Sequence, residues 1–176
     1  YRVVPFSVKL AQTRLDRKFA AHPFVPEDPA LRNRRCEDIL SIQAYGLKKR
    51  YAHTGLKTAV LGISGGLDST LALLVTIRTF DPLQLSRKGI IAVTMPCFGT
   101  TDRTYENACL LAKTLGVTLR EVDIRESVTR HFADIGQDME CHDVTYENGQ
   151  ARERTQVLMD IANKENALVI GTGDMS

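Results

Sequence analysis

The sequence has no excess of charge of either sign. Its 23 Lys and Arg residues nearly balance its 21 Asp and Glu residues, which leaves a net charge of +2. Nucleic-acid-binding domains usually carry a basic patch. The only basic cluster, three arginines within residues 32–35, lies next to Glu37 and Asp38, and such a mixed cluster is typical of a solvated helix surface. We therefore expect no nucleic-acid partner.

Patterns for metal binding, export and membrane insertion are also missing. The four cysteines form no Cys-x-x-Cys pair, and no His lies at zinc-finger spacing, which argues against a zinc site. With no export signal, widely spaced cysteines indicate reduced thiols, so we expect a cytoplasmic protein. Cys97 has no partnered base and is expected to be a small loop residue. The longest apolar runs, such as residues 71–75, are too short to span a bilayer, so we expect no membrane partner.

What is present is the composition and patterning of an α/β domain. The 176 residues are 43% apolar and 25% charged, enough for one globular domain with its own core. Short apolar runs predict strands over residues 58–63, 89–95, 117–123 and 167–170, and helices are predicted over 68–80, 102–115, 125–138 and 150–166. This alternation predicts an open, mostly parallel, doubly wound sheet with helices on both faces.

The first third of the sequence has a different texture. Residues 1–20 begin with a strand-like run and are expected to be the tail of a preceding domain. Three prolines within residues 21–29 predict an extended connector, and a long helix is predicted from residue 30 to residue 51. Residues 21–55 then form the linker and long helix, and residues 56–176 the main domain. Because the sequence lacks an initial Met and stops inside an expected active-site loop, we expect a fragment that is truncated at its C-terminal end.

The strongest local signal is a glycine-rich loop between the first predicted strand and its helix. Two glycines allow a sharp turn and close approach of the backbone to an anion. The amides at a helix N-terminus favour negative charge, and three hydroxyls add donors. The alternative is a simple glycine-rich turn that caps a helix. The loop comprises Ser64-Gly65-Gly66-Leu67-Asp68-Ser69-Thr70.

The carboxylate within this loop suggests which phosphate compound would bind. Asp68 would repel phosphate oxygens unless a hard cation bridges them, and magnesium with ATP is the usual case. The loop also lacks the lysine of the Walker pattern. The residues therefore predict a Mg-ATP site that differs from those of kinases and GTPases.

Three segments together resemble a known family. The pattern Ser-Gly-Gly-x-Asp-Ser resembles the fingerprint of the ATP pyrophosphatases, which include NAD, GMP and asparagine synthetases and tRNA-modifying enzymes. Residues 146–154 resemble the Asn-x-x-Ala-Arg-x-Arg signature of NAD synthetases, and residues 169–176 resemble a strand and loop of their glutamine-dependent branch. The resemblance covers about residues 20–176 and implies an adenine nucleotide alpha-hydrolase-like fold.

The resemblance also implies roles for individual residues. Asp68 would be the catalytic residue and the magnesium ligand, and Asn148 and Arg152 would bind deamido-NAD. The backbone near Thr94 and Met95 would lie against adenine, and a second acidic metal ligand would follow Ser176. The residues expected to bind ATP are Gly62, Ile63, Ser64, Gly65, Gly66, Leu67, Asp68, Ser69 and Thr172.

The activity implied is ATP-dependent amidation of deamido-NAD to NAD through an adenylated carboxylate, with release of AMP and pyrophosphate. Ammonia would come from glutamine through an upstream amidase domain, of which residues 1–20 would be the tail. The protein would form a homo-oligomer. Another amidotransferase such as GMP synthetase, or a nucleotide-binding fragment without turnover, is the alternative. From the residues alone, Asn148 is equally a helix N-cap and Arg152 equally part of a surface ion pair. His131 and His142 belong to no acid–base pair and are expected to be structural or solvated.

Overall fold

A computed structural model describes residues 1–9, 12, 16–99 and 102–172. The chain divides into two units, residues 1–37 and residues 38–176. In the first unit, residues 1–9 are exposed and contain no strand, so the strand-like run at the start of the sequence is not a strand.

The proline-rich segment of the first unit is a series of turns rather than an extended connector. The amide of Val25 donates to the carbonyl of His22 at 3.1 Å, which closes a turn with Pro23 in a position that suits its fixed φ. Asp28 then accepts a hydrogen bond from the amide of Ala30 and caps the long helix α1 (Pro29–Thr54).

The second unit contains the predicted alternation of strands and helices. All five predicted helices and all four predicted strands are present, with small shifts at their ends except for a larger one at the start of the last helix. After α1 the elements are β1 (Ala59–Gly62), α2 (Leu67–Phe80), β2 (Ile90–Thr94), α3 (Asp102–Leu115), β3 (Thr118–Glu121), α4 (Arg125–Ile135), α5 (Val144–Glu165) and β4 (Leu168–Val169).

The four strands form a parallel sheet in the order β3-β2-β1-β4. The chain moves outward from β1 through β2 to β3 and then returns to the other side of β1. The direction of winding therefore reverses between β1 and β4, and in open α/β sheets ligands bind at the carboxyl ends of the strands at such a reversal. The glycine-rich loop follows β1 at this point.

Helices cover both faces of the sheet, which confirms the doubly wound prediction. Successive side chains of a strand point to opposite faces. Leu61 belongs to a buried cluster with residues of α1, α2 and α3, including Phe80, whereas Val60 belongs to a second cluster with residues of α4 and α5, including Phe132. Burial on both sides explains why the central strands are almost continuously apolar.

Helix α5 begins at Val144, upstream of the predicted start near residue 150. Asp143 precedes it and accepts hydrogen bonds from the amides of Thr145 at 2.9 Å and Tyr146 at 3.0 Å, so the N-cap lies at Asp143. The predicted start near residue 150 was therefore wrong. Among the helices that the structure describes, none has the length and apolar character that crossing a membrane would require.

Candidate functional site

The loop after β1 is held close to helix α3. The amide of Ile63 donates to the carbonyl of Val93 at 2.8 Å and extends the pairing of β1 with β2. Gly65 has a φ of +77°, a conformation that favours glycine. A Cβ at this position would lie 2.2 Å from the carbonyl oxygen of Thr104 in α3. Backbone conformation and packing therefore both exclude a side chain at Gly65.

The hydroxyl groups of the loop are engaged within the loop itself. The hydroxyl of Ser69 donates to the carbonyl of Gly66 at 3.1 Å and accepts from the amide of Ser64 at 3.3 Å. Thr70 also donates to the carbonyl of Gly66, at 2.8 Å, and the amide of Gly66 donates to the hydroxyl of Ser64. The predicted phosphate donors Ser64 and Ser69 thus brace the turn.

The start of α2 supplies the groups that face outward from this braced turn. The helix begins at Leu67, with Gly66 as an N-cap that makes no side-chain hydrogen bond to the helix. Amides in the first turn of a helix have no carbonyl acceptor within the helix. The positive end of the helix dipole adds to their attraction for an anion. The loop is therefore suited to hold phosphate oxygens by its backbone.

The loop forms one wall of a cavity of about 630 Å³ at the carboxyl ends of the strands. Most of the residues predicted to bind ATP line this cavity, together with the adenine-side residues Thr94 and Met95. Two predicted residues do not line it, because Gly65 packs against α3 and Leu67 is exposed outside it. The predicted residues that line it are Gly62, Ile63, Ser64, Gly66, Asp68, Ser69 and Thr172.

Other residues that line the cavity were not predicted. Helix α3 contributes Thr104 and Tyr105, and helix α5 contributes Arg154, Thr155 and Leu158. The sequence did offer a signal for α5, because Arg154 is the last residue of the family-like signature and positions 154 and 158 share one helix face. The contribution of α3 had no signal, because it depends on how the helix packs against the loop.

Tyr105 is held at the cavity by a carboxylate of the neighbouring strand. Its hydroxyl donates to Glu121, at the end of β3, with a separation of 2.5 Å. This hydrogen bond is the main reason that the pKa of Tyr105 is raised above its ordinary value. The phenol is therefore protonated at neutral pH, donates a hydrogen bond to Glu121 and forms a fixed part of the cavity wall.

Asn148 and Arg152 lie together in a different place. They line a shallow groove of about 450 Å³ on α5, which shares Thr155 with the main cavity. Asn148 is not an N-cap, since Asp143 occupies that position. None of the ion pairs among the described residues involves Arg152. The first alternative left open by the sequence, a helix N-cap at Asn148, is thereby removed.

Asp68 is an exposed carboxylate in the first turn of α2 and lines the cavity. Within residues 1–9, 12, 16–99 and 102–172, no group of three His, Cys, Asp or Glu side chains could hold a metal ion. Magnesium commonly takes one or two protein carboxylates and fills its other positions with substrate phosphates and water. A single carboxylate next to a phosphate-binding loop fits that pattern. The predicted segment after Thr172 lies outside the described residues.

Cys97 and the two candidate histidines do not form a reactive centre. Burial is the main cause that raises the pKa of the Cys97 thiol, which disfavours the reactive thiolate. His142 stacks on Tyr146 with ring centroids 4.4 Å apart, and His131 lies beside the ring of Phe132. Neither histidine lines the cavity.

Comparison with known proteins identifies a family that matches most of the chain. The family model described as NAD synthase matches residues 39–176. The glutamine-dependent NAD(+) synthetase of Mycobacterium leprae (strain TN) is 42% identical over 164 residues, which are 91% of this chain and 24% of that protein. The NH(3)-dependent NAD(+) synthetase of Fusobacterium nucleatum is 30% identical over 128 residues, covering 73% of this chain and 46% of that protein.

A solved structure gives the same result. The glutamine-dependent NAD+ synthetase from Acinetobacter baumannii, in complex with adenosine diphosphate, superposes with a TM-score of 0.69 at 29% identity. The match covers 78% of this chain and 26% of that one. The chain therefore spans about a quarter of the length of the glutamine-dependent relatives that it matches.

Proposed function

Because the chain belongs to the NAD synthase family, we propose that it is the ATP-binding part of an enzyme that amidates deamido-NAD to NAD. Its fold is the adenine nucleotide alpha-hydrolase-like fold that the resemblance implied. The observation that carries the proposal is the cavity where the sheet reverses direction, bounded by the braced loop, Asp68 and the end of β2. The bound adenosine diphosphate named for the Acinetobacter baumannii protein supports an adenine nucleotide as the ligand.

In the first step, an oxygen of the nicotinate carboxylate attacks the α-phosphorus of ATP. The bond from this phosphorus to the bridging oxygen breaks, and pyrophosphate leaves. The first-turn amides of α2 hold the phosphate oxygens as charge shifts onto the leaving group. Asp68 would hold a magnesium ion, which when bound neutralises phosphate charge. The carboxylate of Asp68 would then favour the binding of phosphate rather than oppose it.

In the second step, ammonia attacks the carbonyl of the adenylated carboxylate. The new carbon–nitrogen bond replaces the bond to AMP, and the nitrogen loses a proton to give the amide. The groove with Asn148 and Arg152 supports this arrangement, because it shares Thr155 with the nucleotide cavity and offers an amide and a guanidinium to an anionic dinucleotide. The two reactants would then meet beside α5.

The source of ammonia is the finer part of the proposal. The glutamine-dependent relative from Mycobacterium leprae is 42% identical over 91% of the chain, whereas two ammonia-dependent relatives are 30% and 34% identical over 73% and 68% of it, which favours glutamine and an upstream amidase domain. A homo-oligomer and a cytoplasmic location belong to the same proposal and rest on the resemblance alone.

Replacing Asp68 by Asn tests the role of the carboxylate. We expect the rate of release of AMP and pyrophosphate to fall by about 100-fold or more at saturating ATP, because the cation loses the carboxylate of Asp68 as a ligand. The assay uses the full-length protein with deamido-NAD, Mg-ATP and ammonium chloride, so that glutamine hydrolysis does not limit the rate.

Asp134→Asn is the matched control, because Asp134 is an exposed helical carboxylate that pairs with Arg130 on α4, outside the cavity. It should retain the rate of the unmodified protein. AMP formation by Asp68→Asn at a rate near that of the control would contradict the proposed role. Turnover of xanthylate without turnover of deamido-NAD would contradict the proposed substrate.

A further inference from the structure

Arg154 is the one basic side chain among the described residues that line the nucleotide cavity. Asp68 is the one acidic side chain in the same lining. The protein charges around the cavity therefore cancel, whereas the triphosphate of ATP carries several negative charges. The loop supplies backbone dipoles but no lysine, so Arg154 is the available full positive charge.

Arg154 and Arg152 face different sites although only one residue separates them. Two steps along an α-helix turn a side chain by about 200° around the axis. Arg152 accordingly lines the shallow groove, and Arg154 lines the nucleotide cavity. The two guanidinium groups are therefore available to two different anions.

The packing of α5 shows which part of the cavity Arg154 reaches. Leu158 lies one turn further along on the same helix face. A Cβ at Gly62 would lie 3.2 Å from Leu158 Cδ1 and 3.3 Å from Met95 Cε, so this face of α5 packs where β1 and β2 end. Arg154 therefore lines the cavity on the side where β1 and β2 end, which suits the adenosine, and the loop, which suits the pyrophosphate, forms another part of the same lining.

Arg154 is half-buried, and none of the ion pairs among the described residues includes it. Its charge reaches Cys97, where it opposes the larger effect of burial on the pKa of the thiol. A cation that lines the cavity and forms no ion pair within the described part of the chain is well placed for an incoming anion, and a guanidinium binds two phosphate oxygens at once.

We propose that Arg154 binds the α-phosphate of ATP and stabilises the charge that develops there during adenylation. This inference rests on the proposed function, since it assigns a residue to the same cavity. The substrate carboxylate would approach from the Arg152 side of α5, and pyrophosphate would leave toward the loop. Arg154 is therefore a binding residue for the phosphate under attack, distinct from the groups that hold the leaving group.

The test compares Arg154→Gln with Arg154→Lys and Arg152→Gln in the full-length protein. For Arg154→Gln we expect the Kd of Mg-ATP or of AMP to rise, or kcat to fall, by about 10-fold or more, with the KM for deamido-NAD little changed. Arg154→Lys should recover part of the loss, as a point charge without the planar fork. Arg152→Gln should raise the KM for deamido-NAD and leave the Kd of Mg-ATP unchanged.

Binding of magnesium pyrophosphate locates the contact on the triphosphate. If Arg154 binds the α-phosphate, Arg154→Gln weakens AMP but leaves the affinity for magnesium pyrophosphate unchanged. Weaker pyrophosphate with unchanged AMP, or a higher KM for deamido-NAD alone, would overturn the assignment. So would unchanged affinities and kcat.

Two further readouts keep the result clear. Thermal unfolding shows whether Arg154→Gln folds, and if it does not, the affinities of Arg154→Lys decide the question. Unmodified protein that fails to bind Mg-ATP would refute the proposed function itself. Unmodified protein that binds and turns over normally, with normal Arg154 variants, would refute only this inference.

Discussion

At the scale of single residues, the loop shows what a motif specifies and what it leaves to the fold. Asp68 lines the cavity, and a carboxylate at a helix N-terminus has a local signature in the sequence. Gly65 belongs to the same motif but faces the carbonyl of Thr104, which the motif does not reveal. The missed Arg154 likewise depends on how α5 packs. Contacts between residues distant in sequence have no local pattern to reveal them.

Gly65→Ala and Gly116→Ala separate two costs of a side chain. Both glycines have positive φ, +77° and +73°, but a Cβ at Gly116 meets nothing within 4 Å. We expect Gly116→Ala to lower the free energy of unfolding by about 1–2 kcal/mol through backbone strain. Gly65→Ala should cost more, since the loop or the first turn of α3 must also move. Denaturant unfolding measures both.

Mg-ATP affinity gives the second measurement for this pair. Gly65→Ala should weaken binding, because it displaces the braced turn, and Gly116→Ala should not. Equal losses of stability in the two variants would show that the contact with Thr104 imposes no cost of its own. Unchanged affinity in Gly65→Ala would show that the turn tolerates displacement.

At the scale of elements, α5 is the helix that local propensity described least well. Gly149 weakens a helix by propensity, yet α5 continues through it. In the folded protein a Cβ at Gly149 would lie 2.3 Å from Cε1 of the fully buried Phe132. The glycine thus lets α4 and α5 approach closely, and this tertiary contact compensates for the lower propensity.

Gly149→Ala and Gly46→Ala should therefore change stability in opposite directions. Gly46 is an exposed position within α1, where a Cβ would meet nothing within 4 Å. Gly46→Ala should raise the free energy of unfolding by up to about 1 kcal/mol. Gly149→Ala should lower it by about 1–3 kcal/mol, because the ring of Phe132 must move in a packed core. Thermal or urea unfolding compares them.

A stabilising effect of Gly149→Ala would contradict the close approach of α4 and α5. An unchanged stability of Gly46→Ala would instead show that α1 frays at that position. The two outcomes bear on different helices and are independent of each other.

At the scale of the whole molecule, the sequence predicted the fold class because its physical cause is repeated along the chain. Each central strand is buried on both faces and is therefore apolar throughout, and each is followed by a helix. No local pattern in the sequence indicates the strand order β3-β2-β1-β4. It depends on where the chain returns after β3, which the pattern of single elements does not contain.

Amide hydrogen exchange should follow this arrangement. The central strands β1 and β2 are fully buried along most of their length, whereas β3 alternates with solvent and β4 has only Leu168 and Val169. We expect the slowest exchange in β1 and β2, near the free energy of global unfolding, and faster exchange in β3 and β4. Slower exchange in β4 than in β1 would contradict the central place of β1.

Helix α5 carries residues of two sites, and this limits which mutations it can accept during evolution. Positions 148 and 152 open to one groove, and positions 154 and 158 open to the other cavity, in a phase set by the turn of the helix. Exchanging any one of these four side chains alters one site only. Insertion or deletion of a single residue between positions 152 and 154 would rotate all later side chains by about 100° around the helix axis, so the two sites would lose their relative placement. This segment of α5 can therefore diverge by substitution but not by a change of length.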